Sequence, residues 1–430
     1  MKKLFLIIAI VFGVSLNAQQ TPAPQQSEQI AIIGATAHVG NGEVIENCTI
    51  IFKDGKITAI GADLMAPTVG TMINAEGKHV YPGFIAPSKS LGLVEVNAVR
   101  ASDDQDEIGE MIPHVRSIIA YNAESKVVES MRPNGVLIGQ VTPQGGTISG
   151  TSSIVQFDAW NWEDAAIKTD DGIHMNWPNF FRRGRWWAGE PRGFRPNEDY
   201  GKEMDDIKMF FENSDAYSKA DEKEKNLPFA AMEGLFDGSK KLYIHADGEK
   251  EITDAVTFAK AVGVKHIVLV GGYRAYRITE FLKENNIPVL VNVTHSLPKM
   301  EDDDYDLPYK LPKLLVDAGL LVGIQNEDMS NFQTRNMGFY AGQAVAQGLD
   351  KETGIKMLTG NTAKILGIDD MYGTLEVGKS ATLFISEGDA MDMRTNQLTK
   401  AFIDGRDISL ETHQTELWKR YMGKYEREGK

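Results

Sequence analysis

The chain has 430 residues, 42% hydrophobic and 24% charged, with a formal net charge of −15. These values fit a folded globular protein and exclude wholesale disorder, a coiled coil and a multi-span membrane protein. The acidic balance speaks against a basic groove for nucleic acid, and the one cysteine excludes an intramolecular disulfide framework or a cysteine-rich zinc site.

Residues 1–18 read as a cleaved secretory leader. Lys2 and Lys3 precede the apolar run Leu4 to Leu16, and Ala18 offers a small-residue exit. The run is too short for a membrane span, which needs roughly 20 residues. An exported protein, periplasmic or extracellular, is therefore expected, with no membrane span after cleavage. Residues 19–29 are polar and Pro-containing and read as a disordered lead-in.

Residues 30–80 read as β-structure. Ile30 to Ala35, Cys48 to Lys53 and Lys56 to Ile60 are short β-rich runs, and Asp54-Gly55 is a hairpin signal. Cys48 within such a run reads as a small buried hydrophobe. Ala381 to Ser386 and Lys400 to Ile403 repeat the pattern, with a second turn at Asp404-Gly405. Residues 30–80 and 374–410 are thus expected to share one small β-domain, and 411–430 to form a terminal helix.

The middle of the chain changes period. Short apolar strands at Lys241 to His245, His266 to Val270, Pro288 to Val293 and Leu320 to Ile324 alternate with helically spaced segments. Such alternation indicates βαβ units in a parallel sheet, a (β/α)8 barrel or a doubly wound sheet. No G-x-G-x-x-G opens a helix, which disfavours a dinucleotide fold. Val136 to Val141 is strand-like, and Gln144 to Ser153 reads as a small-residue loop. Five of the six tryptophans fall between 160 and 187, among several arginines. Residues 160–226 are therefore expected to form an insertion, with Trp186, Trp187 and Arg185 as substrate-binding candidates, since Trp and Arg suit stacking and binding hot spots.

Several motifs resemble a known family. Ile33-Gly34-Ala35-Thr36, Asp54-Gly55-Lys56-Ile57, Val80-Tyr81-Pro82-Gly83-Phe84-Ile85, Asn361-Thr362-Ala363 and Gly373-Thr374-Leu375-Glu376-Val377-Gly378 are similar to stretches of the amidohydrolase superfamily, imidazolonepropionase-like group. The resemblance implies a (β/α)8 TIM-type barrel over 81–373 with a composite β-sandwich from both chain ends. It implies metal-dependent hydrolysis of C–N bonds in amides and cyclic amides. Where the family carries Asp-x-His-x-His, this chain has Ala86-Pro87-Ser88-Lys89-Ser90. Hydroxyls are poor substitutes for imidazoles on zinc, and Lys89 adds a positive charge.

The expected site is therefore mononuclear at most, with one divalent metal, zinc by preference, or none. His245, at the tip of a strand, and Asp328, after another, are its metal candidates; Asp328 and Glu327 are the catalytic candidates. His295 is an extra candidate, and no strand-four ligand is identifiable. A serine beside a lysine could form a nucleophile with its base, but adjacent strand residues point to opposite sides. Two functions follow: an exported hydrolase of a small-molecule C–N bond, or a non-catalytic relative binding a ligand or an active paralogue through the Trp/Arg segment; a homo-oligomer is a further partner expectation.

Overall fold

The computed structural model describes residues 21–428 except 63, 66, 185, 186, 188, 190–192 and 223. The leader, Arg185 and Trp186 lie outside the described residues. Eighteen strands are described: β1 Ile30–His38, β2 Val44–Lys53, β3 Lys56–Gly61, β4 Thr71–Asn74, β5 His79–Pro82, β6 Phe84–Lys89, β7 Val136–Val141, β8 Ile148–Gln156, β9 Ala166–Asn176, β10 Phe181–Arg183, β11 Phe194–Pro196, β12 Lys241–Ala246, β13 Ile267–Gly271, β14 Val289–Val291, β15 Val322–Ile324, β16 Leu383–Ser386, β17 Leu398–Ile403 and β18 Arg406–Ile408.

One eight-stranded sheet has the order β18-β17-β16-β5-β1-β2-β3, with β4 also on β1. It draws strands from both ends of the chain. Its apolar residues, among them Ile32, Ile50, Phe52, Leu383 and Phe402, form one cluster. Cys48 belongs to it, and burial pushes its thiol up. Both Asp-Gly turns use the left-handed region: Asp54 and Gly55 have φ of 50° and 79°, Asp404 and Gly405 of 47° and 73°. Only residues tolerant of positive φ fit there, so the turn chemistry fixes the hairpins. Within this sheet Phe384 of β16 stacks on Tyr81 of β5, 5.3 Å between centroids, and its edge contact with Phe84 of β6, 5.0 Å, joins the sheet to the second.

The second sheet has eight strands in the order β15-β14-β13-β12-β9-β8-β7-β6 and is nearly closed. From β9 through β15 all neighbours are parallel, as are β6 and β7. Helices such as Glu249–Ala261 and Leu307–Asp317 alternate with the later strands. Ile85, Ile138, Ile154, Tyr243, Val268, Val270 and Leu290 fill the interior.

The uniform βα repeat expected from the sequence does not extend across the first half. β7, β8 and β9 form an antiparallel meander. Only six residues separate β7 from β8, too few for a crossover helix, so the chain must reverse. The segment 144–153 is therefore mostly a fully buried strand and not a loop. Residues 166–176, placed within the insertion by composition, are a strand of the same sheet. Beyond it, Trp177 is buried, donates its indole N–H to Tyr200 Oη at 3.0 Å and packs against Phe258. Trp162 packs on the core. Two of the five clustered tryptophans thus anchor the segment.

Candidate functional site

In a barrel of parallel strands the C-terminal strand ends carry the variable, polar side chains, because the interior below is filled. His245 lies at the end of β12, His174 near the end of β9 and Lys89 at the end of β6. Gln325 to Asp328 follow β15. Tyr243 and His245 are two apart on β12, so both project to the same side.

These groups form a continuous polar spine. Asp171 is fully buried and accepts from Gln140 Nε2 (2.9 Å), Ser152 Oγ (2.8 Å) and Tyr243 Oη (2.9 Å). Burial pushes the Asp171 carboxyl up, against those three donors. The His174 ring stacks on Tyr243 at 4.6 Å. His174 Nδ1 meets His245 Nε2 at 2.9 Å, and His245 Nδ1 meets Glu327 Oε2 at 2.8 Å. Gln144 Nε2 donates to Glu327 Oε1 at 3.1 Å. Burial raises the Glu327 carboxyl, but the His245, Gln144 and Lys89 interactions outweigh it and hold the group below the usual carboxylate range. His174 is held well below the usual histidine value by burial and by His245, so it is neutral at pH 7.

Charge and tautomer follow. Glu327 is a carboxylate, so His245 Nδ1–H donates to it. Neutral His174 then donates its Nδ1–H to His245 Nε2. His174 Nε2 is left as a buried lone pair without a partner among the described residues. A bare acceptor is cheaper to bury than a bare donor whose neighbours are apolar.

Lys89 is 2% exposed, and burial pushes its amine down to about 8, opposed by Glu327 and Asp328. Its ammonium donates to the backbone carbonyls of Asn326 (2.9 Å), Glu327 (3.0 Å) and Met329. Ser88 has φ of 50°, and the β6–β7 register shifts between Ala86 and Lys89. That bulge breaks the expected alternation, so Ser88 and Lys89 are both buried. Ser88 Oγ has no partner among the described residues, while the Ser88 N–H donates to Gln140 Oε1 at 3.0 Å. The Ser–Lys nucleophile pair does not form, because the lysine protons go to carbonyls.

Asp328 occupies a different surface from Glu327. It is exposed, lining a cleft with Tyr273, Asn292, Ser296 and Lys299. Surrounding protein raises its carboxyl, opposed by Lys299 and reinforced by Asp247 and Glu327. Lys299 pairs with Asp247 and lies over the Tyr273 ring at 5.3 Å. His295 packs edge-on against Tyr340 at 5.1 Å, and burial lowers it. Trp187 is 71% exposed.

The donor set does not fit the expected metal. Both ring nitrogens of His245 are engaged within the protein, and its carboxylate partner is Glu327, not Asp328. The first-strand position presents hydroxyls and an ammonium, which repels a cation. Among the described residues no group of three or more His, Cys, Asp or Glu is arranged to hold a metal ion. The residue that sequence reasoning missed is His174. Its flanks, Ile173 and Met175, alternate with it as in a strand, a signal obscured by Asp170 and Asp171.

No protein-family model and no curated protein matches the chain. Solved structures do. An amidohydrolase from Thermotoga maritima MSB8 aligns over 88% of this chain and 99% of its own, with TM-score 0.77 and 23% identity. A Xaa-Pro dipeptidase with bound methionine in its active site aligns over 89% and 100%, with TM-score 0.54 and 14% identity. Phenylurea hydrolase B aligns over 89% and 97%, with TM-score 0.53 and 13% identity. The protein shares its fold with these three solved structures.

Proposed function

We propose that the protein is a hydrolase of a small-molecule C–N bond, in an amide or cyclic amide, and that Asp328 is its base. The observation that carries this reading is the Asp328 carboxyl, which faces the cleft beside Lys299, is raised by the protein around it and has no hydrogen bond or ion pair among the described residues. A base works best when its pKa approaches the working pH, and a raised carboxyl moves that way. Asp328 would take a proton from the water that attacks the acyl carbon and return it to the departing nitrogen. Lys299 would draw the negative charge of the oxyanion. Glu327 and His245 hold the turn that carries Asp328; their own polar atoms are already engaged. The fold shared with amidohydrolases supports the same class, although fold alone does not carry activity. No step is routed through a metal, since the donor set does not fit one.

The test is a screen of amides and cyclic amides with the native chain and with Asp328→Asn. The reading expects turnover that the variant reduces at least a hundredfold without loss of folding. Turnover unchanged in the variant overturns the role of Asp328.

A second reading is a non-catalytic ligand-binding protein. The closure of His245, Glu327 and Lys89 within the protein favours it. It expects saturable ligand binding with no turnover, weakened by Trp187→Ala and by alanine at Trp186 or Arg185. We also propose export, supported by the leader-like residues 1–18. A mature N-terminus near residue 19, read by mass spectrometry of the exported chain, tests it.

A further inference from the structure

The second sheet is not closed by a ladder. Among the described residues, β6 and β15 are its two edges and no backbone pairing joins them. Edge strands present unpaired N–H and C=O groups, which need partners when covered. At the mouth, side chains supply them. Lys89 Nζ reaches across to the carbonyls of Asn326, Glu327 and Met329. Asn331 Nδ2 donates to the Ser90 carbonyl at 3.2 Å, and Ser90 Oγ donates to Asn331 Oδ1 at 3.3 Å. Gln144, after β7, adds its bond to Glu327.

We propose that Lys89 is the resident cation of the barrel mouth, a positioning residue that takes the place a bound metal ion would hold. Its three protons match three carbonyls converging from one turn, as carbonyls converge on a cation. The contact fixes residues 326–329, the turn that carries both Glu327 and Asp328. Ammonium and divalent ion cannot share that spot, because like charges at contact in a buried setting repel strongly. The left-handed Ser88 is what aims Lys89 across the seam rather than along β6. A lysine suits the task because its charge is compact and its donors rotate freely, whereas the planar fork of arginine matches a carboxylate better.

The inference deepens the proposed function, since it says what positions the proposed base, but its test does not depend on turnover. Hydrogen–deuterium exchange is measured on the full chain for the native protein, Lys89→Met and Lys89→Arg. In Lys89→Met, the amides of 325–331 are expected to exchange at least tenfold faster, while β12 and β13 stay protected. Lys89→Arg, which keeps charge and donors, is expected to recover part of that protection. If Lys89→Met does not fold, Lys89→Gln, which keeps two donors without the charge, takes its place with the same expectation. Exchange in 325–331 equal to native in the uncharged variant overturns the proposal. So does a loss spread evenly over all strands, which marks general destabilisation instead. Failure of the amide screen with the exchange result intact would remove the hydrolase reading and leave Lys89 in its role.

Discussion

Replacing Glu327 with alanine tests the spine at its best-defined joint. The carboxylate accepts from His245 Nδ1 at 2.8 Å and from Gln144 Nε2 at 3.1 Å. Hydrogen bonds to a charged group contribute about 1.5–3 kcal/mol each. The side chain is 18% exposed, so water can enter the vacated space and re-satisfy Gln144. Loss of the carboxylate also removes its burial penalty. The net destabilisation should be about 2–3 kcal/mol, close to one charge-assisted bond. A chain of this size has an unfolding entropy on the order of 0.9 kcal/mol per kelvin, so the melting temperature should fall by roughly 2–4 °C. Urea unfolding at pH 7, followed by circular dichroism, measures it. Asp328→Ala is the control: no hydrogen bond or ion pair holds its carboxyl among the described residues, so its stability should stay within about 0.5 kcal/mol of native. Equal effects from the two variants, or less than about 0.5 kcal/mol from Glu327→Ala, would refute the assignment of Glu327 as the spine's anchor.

Other outcomes follow from the same geometry. Asp158 is 2% exposed and joins Arg132 (2.9 Å) to Arg406 (2.8 Å), both buried, tying the barrel to β18. Asp158→Ala leaves two buried guanidinium groups unpaired and should lower stability by about 3–5 kcal/mol in urea unfolding. Acid should weaken the fold through His174 and Glu327. Both have folded values below their unfolded ones, so the unfolded chain binds protons that the native state does not. Their contribution is present in full above about pH 6.5 for His174 and pH 4.5 for Glu327 and is lost as pH falls through the folded values. The urea midpoint should therefore drop between pH 7 and 5, with a shallower slope in His174→Gln; an unchanged slope would count against a neutral His174. Asp171→Asn turns one acceptor into a donor facing either Ser152 Oγ or the pair Tyr243 Oη and Gln140 Nε2, and should destabilise by about 1–3 kcal/mol in the same assay.

Much of the architecture was legible because period and turn chemistry are local. The strands β12 to β15 stand out as apolar runs, and the helices between them keep a 3.6-residue period. The Asp-Gly pairs at 54–55 and 404–405 announced their own left-handed turns. The meander was not legible. Gln144 to Ser153 is rich in Gly, Ser and Thr, which favour turns locally, yet β8 is buried throughout. Small residues are required there because other chain segments press close: a Cβ on Gly150 would sit 2.6 Å from the Val115 carbonyl. Tertiary crowding of that kind leaves no local pattern. The site was half legible. His245, Glu327 and Asp328 were identified from their places at strand ends, and the loss of the first-strand histidines was visible in Ser88 and Ser90. The pairing of His245 with Glu327 rather than Asp328 depends on the turn after β15, whose register no periodicity specifies. Lys89 read as an obstacle to a metal; its three carbonyl partners lie some 240 positions away in sequence.

The central claim is that this barrel mouth is held by its own side chains, with Lys89 as the cation. Metal content tests it most directly. The purified chain is exposed to zinc, dialysed and analysed by elemental mass spectrometry, beside His245→Ala. The account predicts well under one-tenth of an equivalent in both. Near one equivalent per native chain, lost in His245→Ala, would contradict it and restore a mononuclear metal site.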